Sequence, residues 1–153
     1  MPRVQREAEV TWEGNVARGN GTISAATGAF DQLPYSLATR VEKTEGKTSP
    51  EELLAAAHAG CYAMSLAGEL TREGEPPDHL DVRAKVTLDQ VEDGSHQIVA
   101  SEVLARARVT GIDQETLDRV AEAASEGCTF SKLIAASGTV TVSATLEGDS
   151  NGD

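Results

Sequence analysis

The segment Ser49–Glu69 has the composition of a long helix but lacks a polar face. Ser49 can cap its start, Pro50 suits the first helical position, and Glu52 completes a capping box. No residue in the range 53–68 carries a full charge, whereas a surface helix shows a polar stripe. We therefore predict a helix buried on nearly all sides. The uncharged run is too short, and too closely flanked by glutamates, to cross a membrane.

A helix of this kind needs other elements packed around it. At 153 residues the chain is the size of one domain, and its 3% aromatic content implies a core of small aliphatic side chains. Alanine and glycine along the helix would let another backbone approach closely. We infer that a second copy of the helix packs there and predict a homodimer. The alternative is that the sheets of one subunit suffice. The domain is expected to cover residues 1–147, with a disordered tail at 148–153.

The bulk charge excludes several classes of partner. A net charge of −12 argues against binding to nucleic acid or to an anionic membrane surface.

The two cysteines lack the CxxC spacing of a zinc ribbon, and they do not form a secreted disulfide framework. The N-terminus lacks the apolar segment of a secretory signal. We therefore expect a cytoplasmic protein.

Alternating and helical patterns predict an α+β protein with antiparallel sheet. Strands are expected at 4–12, 22–26 and 35–42 before the long helix, the third of them carrying Arg40. After the helix, strands are expected at 80–88 and 98–109, with a bulge near Ser101 and Glu102 where the apolar positions change face. Asp113 caps a second helix that ends at Gly127. A helical turn at 130–136 and a strand at 140–146 complete the order βββ-α-ββ-α-β.

Cys61, in the middle of the long helix, is the first candidate for chemistry. A structural cysteine acting as a small hydrophobe is the alternative interpretation. Gly60 could kink the helix and place Cys61 near a local helix N-terminus, which favours a thiolate. Cys128 follows a helix-ending glycine, so the chain carries two thiols that suit a redox pair. Their spacing alone does not show whether they meet.

His58 lies three residues before Cys61 on the same helical face. It could serve as a base for Cys61, as a metal ligand together with Cys128, or as a core histidine with satisfied hydrogen bonds. By default, Arg40 is a solvated charge and Glu51 is a carboxylate at a helix start.

The segments TSPEELLAAAHAGCYAMSL and EGCTFSKLI together resemble the signature of the OsmC/Ohr family of osmotically induced and organic hydroperoxide resistance proteins. WEGNVARGNGTIS and PYSLATR are more similar to the OsmC branch than to the Ohr branch. The resemblance implies an intertwined dimer whose antiparallel sheets wrap two long central helices. It also implies a thiol peroxidase that reduces organic hydroperoxides and, in the OsmC branch, hydrogen peroxide.

The resemblance also implies roles for individual residues. Cys61 corresponds to the peroxidatic cysteine and Cys128 to the resolving cysteine. Arg40 corresponds to the active-site arginine and Glu51 to its carboxylate partner. Arg18 is the alternative arginine, because the Ohr branch takes that residue from nearer the N-terminus.

We expect no bound cofactor and no metal. The resemblance implies that an external dithiol of the lipoyl type restores the thiols. Thr129 stands where the family usually has proline. The rigidity that proline gives to the loop after Cys128 is therefore not implied for this chain, whereas the thiol itself is. Two alternatives come from other classes. One is a redox sensor with the same thiols and little turnover, and the other is a catalytically idle binding or structural dimer.

Overall fold

The computed structural model describes residues 3–42 and 46–148, and its residues group into two compact units that divide between Leu53 and Leu54. The division falls within the long helix, whose first residues belong to the first unit. The elements in chain order are β1 (Ala8–Glu13), β2 (Asn20–Ala25), β3 (Leu33–Tyr35), α1 (Leu37–Val41), α2 (Pro50–Arg72), β4 (His79–Gln90), β5 (His96–Arg108), α3 (Gln114–Gly127), α4 (Thr129–Ala135) and β6 (Thr139–Leu146). The α+β class is confirmed, and a single domain over 1–147 stays a prediction.

The first unit contains an antiparallel sheet in the order β1-β2-β3. Gly21 lies opposite Trp12 in this sheet. A Cβ atom on Gly21 would lie 2.5 Å from the Thr11 carbonyl oxygen and 2.7 Å from the Tyr35 ring. Only glycine fits here, and its absence of a side chain lets the Trp12 and Tyr35 rings lie 5.5 Å apart.

The prediction of a third strand over 35–42 is wrong in its length. β3 ends at Tyr35, and Arg40 lies on the short helix α1. The cause is a local hydrogen-bond pair at Ser36. The Thr39 hydroxyl donates to the Ser36 carbonyl at 2.7 Å and accepts from the Ser36 amide at 3.1 Å. These bonds satisfy backbone groups at a helix start, so the chain turns instead of extending the strand.

The start of α2 agrees with half of the predicted capping box. The Ser49 hydroxyl accepts from the Glu52 amide at 3.1 Å, as expected of an N-cap. The Glu52 carboxylate instead accepts from the Thr48 hydroxyl at 2.9 Å. At the other end, Gly74 has a φ of +86°, which lets the Glu75 amide bond back to a carbonyl of the last turn.

Burial along α2 is one-sided within this chain, which corrects the prediction of a helix buried on nearly all sides. The buried residues recur every four positions, at His58, Tyr62, Leu66 and Leu70. A stripe with this spacing presents one face to the core of a single chain. Met64, on another face, is 79% exposed.

The second unit contains a sheet in the order β4-β5-β6. β4 and β5 pair antiparallel, with a register shift between Thr87 and Leu88 that leaves Val99 as an extra residue in β5. The predicted bulge is therefore present, slightly before Ser101. β6 pairs in parallel with β5, which corrects the prediction of purely antiparallel sheet. A parallel partner requires a crossover connection, and α3 and α4 supply it.

The core of the second unit lies among α2, α3 and the inner face of the sheet. Asp113 caps α3 as predicted, and its carboxylate accepts from the Thr116 amide at 2.8 Å. Gly127 is the last residue of α3. Among the helices of the described residues, none is long and apolar enough to span a membrane. The predicted disordered tail lies, apart from Gly148, outside the described residues.

Candidate functional site

The second unit brings the two cysteines together. Cys128 lies at the junction of α3 and α4, fully buried, and Cys61 packs half-buried against the same hydrophobic cluster. Both thiols are free, and hydrogen bonding from Cys61 is among the causes that lower the pKa of Cys128. Two free thiols that the fold brings into one cluster from distant parts of the chain are candidates for a disulfide.

Cys128 is the N-cap residue of α4. Its Sγ atom accepts from the Ser131 amide at 3.5 Å. Burial by itself raises the pKa of the Cys128 thiol, but hydrogen bonds from the Ser131 hydroxyl and amide, from Cys61 and from the Phe130 amide outweigh it, so the pKa lies below its ordinary value. Donors directed at the sulfur stabilise its thiolate.

The predicted kink at Gly60 is wrong. α2 runs without interruption from Pro50 to Arg72, and the Gly60 backbone does not have a positive φ. Cys61 therefore lies in the middle of a continuous helix. The thiol at a helix start is that of Cys128. The order Cys-x-x-Ser from 128 to 131 carries this signal, because an N-cap side chain accepts from the amide three residues later.

His58 is completely buried, and both of its ring nitrogens have partners. Nδ1 lies 2.7 Å from the Ser101 hydroxyl of β5, and Nε2 lies 2.8 Å from the Ser131 hydroxyl of α4. Burial lowers the pKa of His58, so the ring is neutral. Of the interpretations offered from the sequence, the hydrogen-bonded core histidine fits best. Neither serine is predicted from the sequence as a partner of His58.

Two further hydrogen bonds hold the cysteine-bearing helix against α3. The Tyr62 hydroxyl donates to the Ala121 carbonyl at 3.0 Å, and the Ser65 hydroxyl donates to the Ala124 carbonyl at 2.7 Å. Burial, with smaller contributions from Glu122 and Cys128, raises the pKa of Tyr62, which therefore stays a neutral donor. Both bonds lie within the helical turn that follows Cys61 and tie α2 to α3 there.

Arg40 and Glu51 form an ion pair in the first unit. Arg40 Nε donates to Glu51 Oε1 at 3.0 Å and Nη2 donates to the same oxygen at 2.5 Å. The hydrogen bond with Glu51 raises the pKa of Arg40. The other carboxylate oxygen, Oε2, is buried and has no hydrogen-bond partner among the described residues. Arg18, the alternative arginine, is exposed in the β1–β2 turn.

A small apolar hollow lies beside Arg40 within the first unit. Its volume is about 190 Å³, and its lining consists of Trp12, Val16, Tyr35, Ser36, Leu37 and Arg40. Aromatic and aliphatic groups form most of the surface, and Arg40 is the charged residue of the lining. A hollow of this kind suits a small apolar group attached to a polar head.

The metal interpretation of His58 and Cys128 finds no support in the site. No group of three or more potential ligands clusters anywhere in residues 3–42 or 46–148. His58 also uses both nitrogens in hydrogen bonds to serines.

Comparison with known proteins identifies the family. The family model described as OsmC-like protein matches residues 43–143, a range that holds both cysteines. Peroxiredoxin OsmC of Escherichia coli (strain K12) is 38% identical over 133 residues, which cover 87% of this chain and 92% of the relative.

Solved structures agree on the fold. The organic hydroperoxide resistance protein OhrB of Bacillus subtilis superposes with a TM-score of 0.66 at 27% identity, covering 92% of this chain and 98% of that one. An organic hydroperoxide resistance protein OsmC from Legionella pneumophila superposes with a TM-score of 0.70 at 20% identity, covering 94% of this chain and 99% of that one. The family match and the 38% identical relative together establish that the chain belongs to the OsmC-like protein family.

Proposed function

We propose that this protein is a thiol peroxidase that reduces organic hydroperoxides through a Cys61–Cys128 disulfide cycle. One observation carries the proposal: two free thiols, far apart in sequence, pack in the same hydrophobic cluster where α2 meets the α3–α4 junction. The names of the relatives support the reaction class. Hydrogen peroxide is a second expected substrate. The reaction needs no prosthetic group, because the cysteine sulfurs themselves carry the electrons.

Cys61 is the peroxidatic residue in this proposal. Its thiolate attacks one peroxide oxygen, the O–O bond breaks, and the other oxygen leaves as an alkoxide that takes up a proton. Cys61 becomes a sulfenic acid. Cys128 then attacks its sulfur to form the disulfide, which protects Cys61 from further oxidation. Cys61 suits the first role because it is half-buried, and Cys128 suits the second because it is enclosed.

Arg40 and Glu51 are proposed to assist the first step. A guanidinium keeps its charge at all relevant pH values and can hold peroxide oxygens through several donors. The carboxylate of Glu51 fixes its orientation by accepting from two of its nitrogens. The apolar hollow beside Arg40 has the character expected of a seat for the alkyl group.

The working form is proposed to be a homodimer. Support comes from the uncovered face of α2, where Ala56, Gly60 and Met64 are exposed at spacings of four residues. Within the part of the chain that the structure describes, no side chain lies within 4 Å of the position that a Cβ on Gly60 would occupy. An uncharged face of small residues allows close contact with another helix, and a second copy would restore the all-round burial that the sequence predicts.

A turnover assay tests the proposal. Reduced protein should consume cumene hydroperoxide, and hydrogen peroxide more slowly, over many cycles with a dithiol such as dihydrolipoamide; thioredoxin serves as the comparison. A redox sensor of the same fold would consume one equivalent and stop. We expect the activity in the cytoplasmic fraction of cells. Failure of Cys61 to react with either peroxide would contradict the proposal.

A further inference from the structure

Four buried residues are linked in series, beginning at the sulfur of Cys128. Ser131 is the first link, because its amide donates to Cys128 Sγ at 3.5 Å and its hydroxyl lies 2.8 Å from His58 Nε2. His58 Nδ1 in turn lies 2.7 Å from the Ser101 hydroxyl. Exposure of these four residues is between 0% and 4%, so water does not compete for the bonds. We call Cys128, Ser131 and His58 the buried relay; Ser101 bonds to the far nitrogen of the ring and lies outside it.

Two of the hydrogen arrangements open to these residues differ by the transfer of the Cys128 proton to His58. In the first, the Cys128 thiol donates to Ser131, the Ser131 hydroxyl donates to His58 Nε2, and Nδ1–H donates to Ser101. In the second, two protons have each moved one step, so that the Ser131 hydroxyl donates to a Cys128 thiolate and both nitrogens of an imidazolium carry hydrogen. The heavy atoms keep their positions in both arrangements.

We propose that the buried relay removes the proton from Cys128 when this residue resolves the Cys61 sulfenic acid, with Ser131 in contact with the reacting sulfur and His58 accepting the proton through Ser131. His58 thus acts as a positioning residue for Ser131 and as a temporary proton store. The inference rests on the proposed function, since it concerns its second step.

The step balances in atoms and electrons. The Cys128 thiolate donates an electron pair to the sulfur of Cys61–SOH, the S–S bond forms, and the S–O bond breaks. Cys128 sulfur is oxidised, Cys61 sulfur is reduced, and hydroxide leaves. The proton held by His58 returns through Ser131 and combines with hydroxide to give water. No other reactant is consumed.

The surroundings of His58 suit a temporary proton acceptor. Burial favours its neutral form, which leaves a lone pair to receive a proton near neutral pH. The titratable groups nearest the ring on the elements packed around it are Cys128 at the helix junction, and Cys61 and Tyr62 on its own helix. Glu102 on β5 and Lys132 on α4 are both exposed to solvent, so neither faces the ring. An imidazolium formed here therefore has the Cys128 thiolate as its counter-charge.

A purely structural histidine would explain the hydrogen bonds equally well, so the test needs a readout that packing does not change. Reduced protein is mixed with one equivalent of cumene hydroperoxide in the presence of dimedone, which traps sulfenic acid. The ratio of dimedone adduct on Cys61 to Cys61–Cys128 disulfide measures the rate of resolution. Ser131→Ala removes the hydroxyl but keeps the backbone amide that caps α4. Ser101→Ala is the matched control, because it removes a buried hydroxyl bonded to the same ring but outside the proton path.

We expect Ser131→Ala to slow disulfide formation about ten- to hundred-fold at pH 7 and to move its pH profile upward, because the thiol must then ionise without the relay. Ser131→Thr, which restores a hydroxyl, should recover most of the rate. His58→Gln keeps a hydrogen-bonding group but accepts no proton, and it should resemble Ser131→Ala. Ser101→Ala should stay within about three-fold of the wild type. Peroxide consumption in the first step should be unchanged in all four variants.

A wild-type ratio and pH profile in both Ser131→Ala and His58→Gln would overturn the buried relay while leaving the disulfide cycle intact. Equal slowing by Ser131→Ala and Ser101→Ala would also overturn it, since that pattern indicates general loss of packing. If the wild-type protein reacts with peroxide but forms no disulfide, the cycle and the relay both fail.

Discussion

Arg40 directs two guanidinium nitrogens at a single oxygen of Glu51, and the second oxygen of that carboxylate is left buried without a partner among the described residues. An unpaired buried carboxylate oxygen is costly, so this oxygen would gain from a further donor. In the proposed reaction, the O–H group of the hydroperoxide is that donor. Within the first unit, altering the Arg40–Glu51 pair should therefore have the clearest effect on the reaction with peroxide.

Replacing Arg40 with methionine keeps much of the bulk and removes the charge. If the guanidinium stabilises the Cys61 thiolate, the pH profile of the first step should move upward by about one unit, equivalent to roughly 1.4 kcal/mol. The reaction of the ionised thiol should also slow, because the peroxide loses its donors. Stopped-flow measurement of peroxide consumption from pH 5 to 9 checks both effects.

The matched control is Arg18→Met, which removes an exposed charge from the β1–β2 turn and should leave the profile unchanged. A shift in Arg18→Met alone would transfer the role to that residue. No shift in either variant would show that the thiol is activated without an arginine.

Cys61→Ser should abolish turnover. A serine hydroxyl is not ionised at neutral pH and is a much poorer nucleophile than a thiolate. The residue packs at the edge of the core, and the exchange of sulfur for oxygen changes its volume little, so the fold should persist. Steady-state assay with cumene hydroperoxide, alongside a circular dichroism spectrum, measures the two effects. Activity within a few-fold of the wild type would assign the peroxidatic role elsewhere.

Cys128→Ser should leave the first oxidation intact and prevent resolution. Serine is among the preferred N-cap residues, so α4 should remain capped when it replaces Cys128. About one peroxide per subunit should be consumed rapidly, after which excess peroxide should convert Cys61 to sulfinic acid. Intact-protein mass spectrometry distinguishes the products. Loss of two hydrogens, the mass change of an intramolecular disulfide, should not occur in this variant.

His58 should make the stability of the reduced protein depend on pH. Burial lowers its pKa in the folded state, so the unfolded chain binds a proton first as pH falls through about 6.5. The stabilising contribution is therefore fully present above that value and is lost progressively below it, as pH approaches the folded pKa. Urea unfolding of the wild type and of His58→Gln between pH 8 and 5 should show a shallower loss in the variant. His96→Gln, at an exposed histidine, is the control and should keep the wild-type slope.

Met64→Lys should weaken or abolish the proposed dimer. The side chain is 79% exposed on the uncharged face of α2, and a lysine there would place like charges together across a two-fold contact. Leu104→Lys is the control, because Leu104 is 60% exposed on a different element, β5. Sedimentation velocity should give a smaller mass for Met64→Lys only. A monomeric wild type, or equal masses in all three proteins, would contradict the dimer face.

The elements that the sequence predicts well are those with local signals. Ser49, Asp113 and Gly127 mark helix ends through hydrogen bonds within a few residues, and the structure has each of them where expected. The strand predicted over 35–42 ends at Tyr35, because the Thr39 hydroxyl bonds to the Ser36 carbonyl and so competes with strand pairing. Alternation alone does not reveal that competition.

The candidate site shows the same difference between features with local sequence signals and features that depend on long-range packing. Cys61 and Cys128 are recognisable from their segments, but their contact depends on how α2 packs against the α3–α4 junction. His58 was visible as a candidate, yet its partners Ser101 and Ser131 come from a strand and a helix far along the chain. Buried hydrogen bonds between distant hydroxyls leave no periodic trace in a sequence.

Because β5 and β6 pair in parallel, the segment that carries Cys128 is also the connection on which the sheet depends. A chain that leaves one strand and returns parallel to it must travel back along the sheet, and α3, Cys128 and α4 are that return path. Shortening the connection would cost the sheet its third strand. A point substitution can therefore remove the Cys128 thiol and keep the fold. Deletion of the segment that carries Cys128 would remove part of the fold as well.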